Sequence, residues 1–105
     1  MAKGSPFIKR LKAARSVAGI SQKTLGIRAG IDEFSASARV NQYERGKHVP
    51  DFSTVERFAV VLEVPACYFY ATDDEMAEWI LLYGQLTRSE RNRQLKLLKG
   101  KKPSN

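Results

Sequence analysis

Ser37, Ala38, Arg39, Asn41 and Gln42 fall close together in this 105-residue chain, and their side chains suit the reading of nucleic-acid bases. Asn and Gln amides pair bidentately with adenine, an Arg guanidinium pairs with guanine, and an Ala methyl can touch that of thymine. Arg39 serves equally well against a phosphate. Bond-making chemistry has no comparable set. His48 is the sole histidine, Cys67 the sole cysteine and distant from it, and no glycine-rich phosphate loop occurs. The expectation is a chain with no catalytic residues, no Cys/His metal site and no cofactor.

These residues need a helix to carry them. Val40 and Tyr43 lie three apart and take its inward side, which leaves the five polar or small residues on the outer and N-terminal surface. That helix runs from Ser35 or Ser37 to Arg45, with Gly46 as its C-cap and Pro50 blocking continuation. Ahead of it, Ser21 caps a short helix with Leu25 inward and Gly30 closing it. Gly26 falls inside that helix, where glycine costs about 1 kcal/mol against alanine. Close approach of another helix explains it, a tolerated local defect being the alternative. In the connection, Ile31 and Phe34 are expected to tuck into the core while Asp32 and Glu33 face water.

The flanking segments are also helical. Ser5-Pro6 opens a helix with Phe7, Leu11, Ala14 and Ala18 on one stripe and Lys9, Arg10 and Lys12 solvated off it. Asp51 or Ser53 starts another, with Phe52, Val55, Phe58, Ala59 and Leu62 inward. Pro65 begins a short helix that buries Tyr68 and Phe69. Asp73-Asp74-Glu75 suits the positive end of a helix bearing Met76, Trp79, Ile80 and Tyr83 on one side, broken at Gly84. Thr87 and Glu90 have capping-box spacing for a last helix with Leu95, Leu97 and Leu98, then a basic tail from Lys99. No strand-like alternation appears, so the fold class is all-α.

Net charge is +7, unevenly spread. Residues 1–50 carry ten Lys/Arg against three acidic residues, 51–85 one against seven, and 86–105 seven against one. A basic first segment can neutralise phosphates, and the acidic middle suits a face turned away from them. The lone cysteine forms no internal bridge, no apolar run is long enough for a membrane, and the first residues lack a secretory pattern. A cytoplasmic setting is expected.

The stretch from Phe7 to Tyr70 resembles the phage repressor/Cro-type, or Xre-like, helix-turn-helix regulators over roughly two thirds of the chain. The matching residues are Arg15, Gly19-Ile20-Ser21-Gln22, Leu25, Ala29-Gly30, Tyr43-Glu44-Arg45-Gly46-Lys47, Pro50 and Leu62-Glu63-Val64-Pro65. The resemblance implies a five-helix bundle in which residues 21–29 support and about 36–45 recognise double-stranded DNA in the major groove. It points to Ser37, Ala38 and Gln42 for base readout, with Gln22 on a phosphate; Lys23 and Lys47, by their charge and position, are further candidate phosphate contacts. It also implies a structural salt bridge between Arg15 and Glu44. Between Gly30 and Glu44 the chain is longer than the family's compact form, the extra residues falling at 31–35. This leaves the start of the recognition helix open, and Asp32 and Glu33, which would repel phosphates, are expected to tilt the loop outward.

Residues 1–70 are thus expected to form a DNA-binding domain and 71–105 a C-terminal extension of one or two helices with a basic tail. Trp79, Ile80, Leu82, Tyr83 and Leu86 are the dimer-interface candidates, since a two-fold protein reads a palindromic operator. A transcriptional repressor is the expected role. The alternative is an antitoxin-type module that binds a partner toxin as well as its own promoter.

Overall fold

Side-chain oxygens that satisfy unpaired backbone N–H groups set most helix starts in the computed structural model, which describes residues 5–101. The helices are α1 (Phe7–Ala18), α2 (Gln22–Arg28), α3 (Ala36–Glu44), α4 (Phe52–Leu62), α5 (Asp74–Gln85) and α6 (Arg88–Lys99), with a 3₁₀ turn at Ala66–Tyr70 between α4 and α5. Ser21, Asp51, Asp73 and Thr87 accept from the N–H groups of Thr24, Thr54, Met76 and Glu90. Glu90 returns a bond to the Thr87 N–H, completing the capping box. Gly19, at φ 68°, closes α1 in the left-handed region that suits glycine. No strand occurs among the described residues, and the fold is all-α as expected.

One core holds the first four helices and the 3₁₀ turn together. Leu11, Leu25, Val40, Val55, Phe58 and Phe69 are fully buried at its centre. The Tyr43 ring meets Phe58 edge-on at 5.9 Å, and Phe7 packs on Phe69 at 5.6 Å. Arg57 reaches across from α4 to donate to the Ala29 carbonyl at 2.7 Å, satisfying the exposed end of α2.

Several residues sit where periodicity alone does not put them. Arg10 is buried, not solvated: its Nε and Nη2 donate to the Ala71 carbonyl, and its Nη1 to Asp74. Those partners, with the Tyr68 ring 5.9 Å away, replace the water a guanidinium needs. Phe34 and Phe52 point outward, at 93% and 62% exposure, and Ala18 is exposed at the end of α1. Ile31 alone covers the core beneath the turn. Gly84 does not break α5, which continues to Gln85; a β-carbon there would lie 2.9 Å from Pro65 Cδ, so glycine lets the 3₁₀ turn approach.

The C-terminal pair stands apart. α5 packs inward through Ala77, Ile80 and Leu81, while α6 buries no residue and packs substantially on no other element. The chain is accordingly elongated, 55 × 30 × 22 Å, and its radius of gyration of 16.1 Å exceeds the about 13 Å of a compact domain this size. The basic tail expected after Lys99 lies outside the described residues from 102 onward. No described helix is long and apolar enough to cross a membrane.

Candidate nucleic-acid interface

Gly26 brings α2 and α3 together. A β-carbon on it would lie 2.7 Å from Ala36 Cβ, so the first turn of α3 rests directly on the α2 backbone. Ala36, Val40, Tyr43 and Glu44 then face inward along α3. The register leaves Ser37, Ala38 and Arg39 exposed and Asn41 and Gln42 half-buried at the edge of the same face.

A polar cluster fixes the far end of α3 to α1 and α2. Glu44, 2% exposed, accepts from Arg15 Nε at 2.6 Å and Nη2 at 3.0 Å. Arg15 Nη1 also donates to the Ile20 carbonyl at 3.0 Å, tying down the entry to α2. Donating to Glu44 raises the Arg15 pKa above its already high ordinary value, so the guanidinium stays charged. Gln22 donates from Nε2 to Glu44 Oε1 at 3.0 Å and to Asn41 Oδ1 at 3.3 Å. Its amide is therefore committed to α3, and an anion at the start of α2 would meet backbone N–H groups. Sequence spacing does not reveal this Gln22 link, because it depends on how two helices cross.

The turn into α3 is equally ordered. Asp32 accepts through its carboxylate from the Phe34 N–H at 3.0 Å, and through its carbonyl from the Ser35 N–H at 3.0 Å. At the other end, the Gln42 carbonyl accepts from the Lys47 N–H at 2.9 Å, holding Lys47 beside the last turn. Lys23 and Lys47 are both exposed. Among the described residues no His/Cys/Asp/Glu group is arranged to hold a metal.

The remaining candidates lie on the C-terminal pair. Trp79, Leu82 and Tyr83 are at least half exposed, Leu86 is partly buried, and Ile80 instead packs on the core. With Leu95 and Leu98 of α6, the outward residues line an open groove of about 760 Å³ between the two helices. Arg91 closes its apex, lying 4.1 Å over the Tyr83 ring and donating to the Tyr83 carbonyl at 2.9 Å.

A helix held by its neighbours at both ends, with small and polar residues outward, is the arrangement of a helix-turn-helix module. The chain belongs to the helix-turn-helix domain family, whose model matches residues 9–79. Among solved structures it is similar to the transcriptional regulator BswR, at 50% identity and a TM-score of 0.81, over 88% of this chain and 91% of that one. No curated protein matches it.

Proposed function

We propose that this protein is a sequence-specific double-stranded DNA-binding transcriptional regulator, acting as a repressor, with α3 as the helix that enters the major groove. The observation that carries the reading is the outward face of α3: Ser37, Ala38 and Arg39 are exposed, with Asn41 and Gln42 beside them, on a helix clamped by Gly26 and Glu44. Ser37, Ala38, Arg39, Asn41 and Gln42 contact bases, and Lys23, Lys47 and the start of α2 contact phosphates. The 50% identity to a transcriptional regulator supports the same role.

Residues 1–70 form the reading domain in this proposal, and 71–105 join two copies. Trp79, Leu82, Tyr83 and Leu86 offer the apolar face that a two-fold interface needs. Charge favours a second copy as the occupant of the groove. Glu75 and Glu78 lie near the start of α5, whereas Arg88, Arg93, Lys96 and Lys99 run along α6. An α6 from the partner would bring cations to those carboxylates. Such a dimer reads a palindrome whose half-sites are about one helical turn apart.

Selection of bound duplexes from a random pool at about 150 mM salt tests the reading, followed by Gln42→Ala on the recovered site. A palindrome whose recognition is relaxed by the substitution supports it. Salt-sensitive binding without enrichment refutes sequence reading.

A further inference from the structure

Phe34 is the most exposed large apolar side chain among the described residues, at 93%, and it forgoes the burial that normally draws a phenyl ring inward. Nothing local obliges this through looseness. The Asp32 carboxylate accepts from the Phe34 N–H at 3.0 Å, and the Ile31 N–H donates to the Gly26 carbonyl at 2.9 Å, so the turn is pinned on both sides of the ring. Ile31 already covers the core beneath the turn. The ring stands in a defined position two residues ahead of α3, whose N-terminal end is the part of such a helix that meets base edges.

The surroundings narrow what the ring can meet. Asp32 and Glu33 are exposed beside it, so the turn offers no cation for a phosphate and the ring is the group it presents. The outward residues of α3 that follow, Ser37 and Ala38, are small and leave room against a groove wall. The one apolar feature of the major groove is the C5 methyl of thymine, and a phenyl ring is among the groups that recognise it.

We propose that Phe34 is a specificity-determining contact, its ring covering a thymine methyl beside the bases read by α3. The inference rests on the DNA-reading role proposed above and extends the recognition surface into the lengthened turn. It makes that turn part of the reader instead of a spacer.

The test uses the full chain and the operator recovered by selection. Each thymine is replaced in turn by deoxyuridine, which removes only the methyl group, and binding is compared for the natural chain and Phe34→Ala. One thymine should be found at which demethylation weakens the natural chain about fourfold, the worth of one methyl withdrawn from water. Phe34→Ala should bind the thymine and deoxyuridine versions of that site alike, with an unchanged salt dependence because no phosphate contact is lost. An unchanged melting curve verifies that the variant is folded. Equal affinity of Phe34→Ala and the natural chain overturns the inference, as does the same methyl dependence at every thymine in both proteins. Either result leaves the DNA-reading role standing. Failure of the natural chain to select any operator removes that role and this contact with it.

Discussion

Ala36 occupies the space that a side chain on Gly26 would need, with its β-carbon 2.7 Å and its backbone 3.0 Å from the position of an added β-carbon. The glycine sets the distance between α2 and α3, and through it the placement of the outward face of α3. Gly26→Ala should gain about 1 kcal/mol of helix propensity. It should lose about 1–3 kcal/mol to overlap with a backbone that cannot rotate away. Net destabilisation in urea unfolding, together with weaker operator binding, is expected. A variant as stable as the parent would show that the two helices can part freely.

The Arg15–Glu44 pair makes a second prediction. Arg15→Ala strands a carboxylate whose side chain is 3% exposed, which costs about 3–5 kcal/mol when a buried pair is broken. Gln22 still donates to Glu44 and Arg15 is itself 24% exposed, so the lower end of that range applies. A double-mutant cycle with Glu44→Ala should give clear coupling; additive effects would sink the claim that the pair acts as a unit.

Acid should loosen the attachment of α5. Hydrogen bonds from Lys9 and Arg10 hold the Asp74 carboxyl below its ordinary range. A carboxyl with a depressed folded pKa contributes stability that is present above its unfolded pKa, about 3.9, and lost as pH falls through the folded value. Fluorescence of Trp79, the only tryptophan, reads the attachment. Its acid transition, expected below about pH 4, should flatten in Asp74→Asn. An identical transition in that variant would place the acid sensitivity elsewhere, with Asp51 and Glu90 next, since both also have lowered values.

Lys23→Ala and Lys47→Ala should each weaken binding to all duplexes alike and reduce the slope of log affinity against log salt by about 1. Gln42→Ala should instead relax preference at particular bases and leave the slope unchanged. If a lysine variant alters base preference at constant slope, the division between phosphate and base contacts is wrong.

Trp79→Ser removes the largest exposed ring of the C-terminal groove without touching the core. Sedimentation should find the natural chain dimeric and this variant monomeric, with operator affinity reduced accordingly. A natural chain that stays monomeric at high micromolar concentration, with and without DNA, would open the groove to a different protein.

What the sequence discloses and what it hides divide along physical lines. Ser21, Asp51, Asp73 and Thr87 act on N–H groups three residues away, so each cap is written locally. Gly26 is legible too, because a helix tolerates glycine poorly without a reason for it. Arg10 is not: its partners Ala71 and Asp74 stand more than sixty residues away, and hydrophobic periodicity assigns a cation to water. Phe34 and Phe52 fail in the opposite direction, since periodicity treats every phenyl ring as core. Gly84 follows the same logic as Gly26, yet its neighbour is Pro65 and not a facing helix, so it reads as a helix end.

The fastening of α5 has a mechanical consequence. Its links run to the 3₁₀ turn through Gly84 and Pro65, and to the first turn of α1 through Lys9, Arg10 and Asp74. A pull on the C-terminal arms is therefore delivered to the start of α1, at the opposite end of that helix from Arg15 and the clamp on α3. The attachment of α5 and the clamp on α3 thus load different turns of α1, Lys9 and Arg10 in its first and Arg15 in its last.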